Sequence, residues 1–203
     1  VRARRELAGI LRFPEHEIHI IDHHLAHAYS TCFNLDKKNK TLIFTLDGEG
    51  EGVCATVNVY QNEEIKVISR SSKVASLGYL YAIITICLGM KPLEHEYKVM
   101  GLAPYAKTHD VDKLYTKFKD LISVNDDLTF QSLFSMPFAD HFFRQELKFS
   151  RFDIVAGALQ RLVEERTCEW VKKAITKTGI KNIALAGGVF MNVKANQNIS
   201  ELS

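Results

Sequence analysis

The stretch from Thr41 to Ser69 constrains the fold most, because three β-rich segments follow one another with almost no chain between them. "TLIFTL" (Thr41 to Leu46), "VCATVNVY" (Val53 to Tyr60) and "IKVISRS" are separated only by "DGEGEG" and "QNEE". Short polar connections of this kind join antiparallel neighbours, so the stretch predicts a three-stranded meander with Asp47 at its first turn. "NIALAGG" (Asn182 to Gly188) is a later buried strand ending in a glycine turn, and Ile183 to Ala186 is expected to join the same sheet.

Helical periods fill much of the rest. Leu7 to Phe13 ends a helix stopped by Pro14. "EIHIID" (Glu17 to Asp22) alternates and reads as a short strand, followed by a helix to Phe33. Leu77 to Leu88 is mostly apolar and long enough for a buried helix. Asp110 to Ile122 has a helical period. Asp153 to Thr178 is a long amphipathic helix with Val155, Leu159, Leu162 and Val163 on one face and Gly179 as its C-terminal cap. Residues 124–149 are aromatic and irregular and receive no assignment. A meander, then helices, then a strand with a glycine turn suits an α/β ribonuclease-H-like lobe, the building block of actin-like ATPases, with a mixed sheet flanked by helices. In that architecture the first hairpin turn approaches phosphates and the later glycine turn approaches adenosine.

Composition bounds the function. The chain has 203 residues, a net charge of +2 and 25% charged residues, so clustered basic surface for nucleic acid or membrane is not expected. Arg2, Arg4 and Arg5 form a short basic run, read as a solvated helix face. The four cysteines lack metal or disulfide spacing, which points to reduced thiols and a cytoplasmic setting. The chain opens with charge rather than an apolar run, so no signal peptide is expected. The apolar run from Leu77 to Met90 is too short to span a bilayer. A start at Val1 and a finish soon after the last glycine turn read as a fragment.

"IDHHLAHAYS" spends three of the eight histidines on five positions. On a helix, His23 and His27 share a face with Cβ atoms about 5–6 Å apart, close enough to converge on one divalent ion. HxxxH is a weak pattern alone, and from spacing two surface histidines at a helix start are the better reading. The pair lacks the glutamate of HExxH, since position 24 is a histidine, which argues against a zinc protease. His24 points elsewhere and is left to pack or cap, so its loss is expected to cost a metal site little. "LDGEGEG" offers glycines for close anion approach and Asp47 for a metal, but taken alone a plain hairpin is the better reading. Its acids would repel a bare phosphate unless a metal mediates. "EHEYKVMGLAPYAK" reads as a loop between helices that carries acids and a lysine. "ALAGGVFMN" is a strand, paired glycines and a helix start, which favours an anion or simply makes a tight turn.

Five motifs in order, "DHHLAHAYS", "LDGEGEG", "SLGYLYAIITICLGM", "EYKVMGLAPYAK" and "ALAGGVFMNVKAN", resemble the NodU/CmcH-type carbamoyltransferases. The resemblance covers most of residues 17–107 and 150–198. It implies a carbamoyltransferase that makes carbamoyladenylate from ATP and carbamoyl phosphate in a C-terminal domain similar to YrdC. An actin-like ATPase domain then passes the carbamoyl group to a hydroxyl, on a sugar or an antibiotic. It implies Fe2+ or Zn2+ on His23, His27 and Asp47, with Mg2+ a further ion accompanying nucleotide. Gly48, Gly50, Gly187, Gly188 and Asn192 fall to the nucleotide, and Glu96 and Lys98 to substrate or nucleotide. Residues 1–40 would end a first actin-like lobe and 41–203 form most of a second, without the YrdC-like domain. The partners implied are small molecules, with a homo-oligomer compatible. Ala106 departs from the family's glycine, and the family's N-terminal phosphate turn and a later metal aspartate are not found here, so the chain alone is expected to be inactive. An actin-like kinase or ATPase, or a non-enzymatic nucleotide-binding module, remains the alternative.

Overall fold

The computed structural model describes residues 2–202, with the side chain of Arg2 outside the description. Helix α1 (Arg2–Leu11) leads to a 3₁₀ turn at Glu15–Glu17 and to α2 (His23–Cys32). The meander follows as β1 (Thr41–Gly50), β2 (Val53–Gln61) and β3 (Glu64–Ser72). Next come α3 (Leu77–Cys87), α4 (Glu96–Leu102) and α5 (Thr108–Phe118). A small hairpin, β4 (Ile122–Val124) and β5 (Phe130–Ser132), precedes α6 (Asp140–Glu146). The chain then runs through α7 (Phe152–Thr178), β6 (Ile183–Ala186) and α8 (Val193–Ser200). Among the described residues, no helix is long and apolar enough to cross a membrane.

The main sheet has the order β3-β2-β1-β6. β1 pairs antiparallel with β2 and parallel with β6, and β2 pairs antiparallel with β3. Side chains alternate across a strand, and β1 uses both faces. Leu42, Phe44 and Leu46 enter the large core with α3 and α7, whereas Ile43 packs with Ala28 of α2. A strand covered on both sides is mostly apolar, with any buried hydroxyl paired as that of Thr45 is, which accounts for "TLIFTL".

The expected meander, the joining of Ile183 to Ala186 and the left-handed cap at Gly179 (φ 71°) are all present. Asp47 is not at the turn. β1 continues to Gly50, and the turn is Glu51-Gly52, both at positive φ (49° and 82°), the backbone of a tight two-residue hairpin. Leu46 faces Ala55 while Gly50 faces Val53, so residues 47–49 bulge out of the ladder. Glu17 to Asp22 is not a strand. Its first residue closes the 3₁₀ turn, the rest pairs with no ladder, and Ile20 and Ile21 are exposed. "EYKVMGL" is helix α4 rather than a loop, and the helix expected at 110–122 is α5, which ends at Phe118 so that Ile122 can enter β4.

Candidate metal centre and adjoining cavity

Asp22 caps α2, accepting the N–H of Leu25 at 2.8 Å, as a residue with a short carboxylate does at a helix start. Glu51, at the hairpin turn, accepts the N–H of His23 at 3.0 Å. These contacts lay α2 across β1 with His23 and His27 over the bulge. His23 Nε2 lies 3.3 Å and His27 Nε2 3.0 Å from the same oxygen, Asp47 Oδ2. The two rings meet edge to face at 4.6 Å. The bulge aims the carboxylate at them, a known use of an extra residue in a strand.

Asp47 is held from the other side by backbone. Gly48 N–H donates to Oδ1 at 2.7 Å and Gly188 N–H to Oδ2 at 3.3 Å. Burial pushes the Asp47 carboxyl up, but these two N–H groups, with His23 and His27, outweigh it and hold the group below the usual carboxylate range. The donor atoms of His23, His27 and Asp47 all lie within 4.8 Å of one another. Two imidazoles and one ionised carboxylate, half-buried and converging, fit a divalent ion with nitrogen and oxygen ligands.

A cavity of about 350 Å³ adjoins this group. Asp47, Gly48, Gly188 and Asn192 reach it from the bulge and the glycine turn, Gly78 and Tyr81 from α3, and Leu93, Glu96, Tyr97 and Met100 from α4 and the segment before it. Its carboxylates are those of Asp47, Glu94 and Glu96, and no lysine or arginine is among its lining residues. Glu96 also accepts the N–H of Leu93 at 2.7 Å. α3 lies in the motif "SLGYLYAIITICLGM", but none of its residues was assigned to the site from sequence. Its signal is Gly78, where an added Cβ would lie 2.7 Å from Asp47 O and from Gly48 N, so only glycine lets α3 approach the bulge. Ser76 caps α3 and also donates to Gly48 O at 2.7 Å.

The other candidates divide. Gly187 (φ 103°) turns the chain so closely past β1 that an added Cβ would sit 2.4 Å from Leu46 O. Gly188 lies against Asp47. Gly50 does not line the cavity; its bare Cα makes room for the His23 ring, since an added Cβ would lie 2.4 Å from His23 Cβ. Asn192 lines the cavity, but its amide is engaged in the fold. It exchanges two 2.9 Å hydrogen bonds with Gln160 of α7 and caps α8 through Ala195 N–H, while Tyr81 donates to Gln160 Oε1 at 3.0 Å. Lys98 is exposed on α4 over the Tyr97 ring and is not among the cavity's lining residues. Glu49, the middle acid of "DGEGEG", pairs with Tyr79 and Lys73.

Residues 5–203 match the family model for "Carbamoyltransferase N-terminus". Among curated proteins, the chain is 29% identical to an uncharacterized protein, MJ1051, of Methanocaldococcus jannaschii, over 88% of this chain and 35% of that protein. It is 30% identical to the nodulation protein NolNO of Sinorhizobium fredii, over 88% of this chain and 26% of that protein. The chain thus spans about a third or less of these relatives. Among solved structures, full-length HypF in a phosphate- and nucleotide-bound form superposes with a TM-score of 0.48 at 15% identity, over 89% of this chain and 31% of that one.

Proposed function

Because this chain belongs to the carbamoyltransferase family, through its N-terminal region, we propose that it is the transfer part of an enzyme that moves a carbamoyl group from carbamoyladenylate to a hydroxyl acceptor. One observation carries the reading: His23, His27 and Asp47 converge at the wall of a cavity lined by three carboxylates and no cationic side chain. Such a cavity repels a bare phosphate, so a nucleotide needs a cation between it and Asp47. Fe2+ or Zn2+ bound there supplies Lewis acidity toward a carbonyl or phosphoryl oxygen. His23 and His27 offer imidazole nitrogens, and Asp47, held ionised by Gly48 and Gly188 N–H, offers its oxygen. Gly48 and Gly188 let the nucleotide come close to backbone, with Gly187 turning the chain past Leu46 just before Gly188, and Tyr97, Met100 and Met191 supply apolar wall that excludes water. In the transfer, the acceptor oxygen bonds to the carbamoyl carbon, the bond from that carbon to the phosphate oxygen breaks, and AMP and a proton are released.

The strand order, a meander with a parallel strand beside its first member, fits an actin-like ATPase lobe. On this reading residues 1–40 close a first lobe and α2 lies across the sheet of the second. ATP and carbamoyl phosphate would be joined in a YrdC-like part of the whole protein.

The test uses the full-length protein, purified and stripped of loosely bound ions. Wild type is expected to retain a divalent metal and to carbamoylate hydroxyl compounds from ATP and carbamoyl phosphate. His23→Ala and His27→Ala are expected to lose both. Equal metal content in wild type and the double variant would reject the metal centre. Nucleotide binding or hydrolysis indifferent to His23→Ala, with no carbamoylated product, would favour the kinase, ATPase or nucleotide-binding alternative.

A further inference from the structure

His24 belongs to neither the ligand set nor the cavity, yet it is 1% exposed. Its Nδ1 lies 2.7 Å from Thr45 Oγ1 and its Nε2 2.9 Å from Val53 O. Thr45 meets His24 and Asp47 meets His23 and His27, so both side chains of β1 face α2. The ring that touches Thr45 therefore touches the same strand face that carries the carboxylate.

Buried donors must find acceptors, and here the accounting closes. Asn58 Nδ2 donates to Ile43 O at 3.0 Å and to Thr56 Oγ1 at 2.8 Å. With Thr56 Oγ1 and Thr45 Oγ1 2.7 Å apart, the Thr56 hydroxyl donates to Thr45, the Thr45 hydroxyl donates to His24 Nδ1, and His24 Nε2–H donates to Val53 O. The Val53 carbonyl can only accept, which puts the hydrogen on His24 Nε2 and leaves Nδ1 of the neutral ring to accept from Thr45. The chain ties α2 to β1 and to β2 at once. Apart from the His23 and His27 contacts with Asp47 themselves, the other polar ties of the α2 start to the sheet, through Asp22 to Arg70 and Glu51 to His23 N–H, are at the exposed surface.

We infer that His24 is a positioning residue of the proposed metal centre, setting the rotation and height of α2 over β1 so that His23 and His27 meet the Asp47 carboxylate. The inference rests on the metal reading above. The physical need is clear: metal ligands come from two elements, metal–nitrogen bonds tolerate only tenths of an ångström, and the apolar contact of Ala28 with Ile43 has no directional preference. A leucine in place of His24 would fill the space but remove the buried partner of the Val53 carbonyl and one of the two partners of the Thr45 hydroxyl, leaving α2 free to shift.

The experiment titrates Co2+ into the metal-stripped full-length protein and follows both affinity and the Co2+ ligand-field absorption. His24→Leu is expected to weaken Co2+ binding by about 10–100-fold, the effect usual for losing a group that orients metal ligands, and to alter the absorption bands. Thr45→Val, which cuts the same chain from the strand side without touching α2, is expected to act in the same direction. His24→Asn, whose amide oxygen can still accept from Thr45, is expected to recover part of the affinity. A role confined to stability would lower the thermal midpoint and leave affinity and spectrum of the folded protein unchanged. Wild-type Co2+ affinity and spectrum in a folded His24→Leu, or in Thr45→Val where His24→Leu does not fold, would overturn the inference while leaving His23 and His27 as ligands. A wild type that takes up no Co2+ would overturn the metal reading and this inference together.

Discussion

At the scale of single residues, room and charge decide the site. Gly50→Ala would force the His23 ring away, because 2.4 Å between carbons is impossible. The expected outcome is a folded protein by circular dichroism with metal content lowered toward that of His23→Ala. Gly48→Ala meets nothing within 4 Å of the added carbon and is expected to fold like wild type. Gly187→Ala combines a positive φ with a clash against Leu46 O and should cost at least about 1–3 kcal/mol, read as a lowered urea midpoint. Cys54 gives a pH prediction. Burial pushes its thiol up to about 12 from an ordinary value of 9.0. The folded state thus keeps the proton while the unfolded chain releases it above about 8.5–9. Stability from this neutral thiol is complete below that range and is lost as pH rises toward 12. Wild type should therefore lose urea stability between pH 8 and 10.5 faster than Cys54→Ala.

At the scale of elements, periodicity was a good guide where one side of a segment is buried, and a poor one elsewhere. α7 was legible because its apolar positions recur at helical spacing and Gly179 stops it. "EIHIID" alternates like a strand, but alternation is only a compatible pattern, and no neighbour offers it a ladder. "EYKVMGL" carries the polar residues of a loop, yet Val99 is fully buried and pulls the segment into a helix. α7 also anchors the sheet. The ring of Trp170, the sole tryptophan, meets Phe44 at 5.0 Å and Phe130 at 4.9 Å, and its Nε1–H donates to Leu128 O at 2.8 Å. Trp170→Ala is expected to cost about 3–5 kcal/mol, as deletion of a buried large aromatic does. Trp170→Phe keeps most of the packing and should cost less in the same denaturation assay.

At the scale of the whole molecule, stability is unevenly shared. β1 lies between two covered faces and two neighbouring strands, whereas α1 leaves Leu7, Ile10 and Leu11 exposed and packs chiefly on the 3₁₀ turn after it. Amides of α1 are thus expected to exchange with deuterium far faster than those of β1 and β2, which should exchange only near global unfolding. Protection of α1 equal to that of β1 would contradict this ordering.

The sequence by itself determined the meander, the long helix and its cap, the strand after it, and the histidine pair on one helical face. These follow from local rules, the period of apolar residues and the chemistry of turns, which act over a few neighbours. It also brought His23, His27 and Asp47 onto one list through the order of five motifs. What it could not contain was the bulge that moves Asp47 off the turn, the glycines at 50 and 78 as spaces for a ring and a helix, and the exposed placement of Lys98. Nor did it mark His24 or Gln160 as centres of buried hydrogen-bond chains. Those depend on which distant backbone arrives beside a residue, and only the packing of α2, α3 and α7 on the sheet decides that.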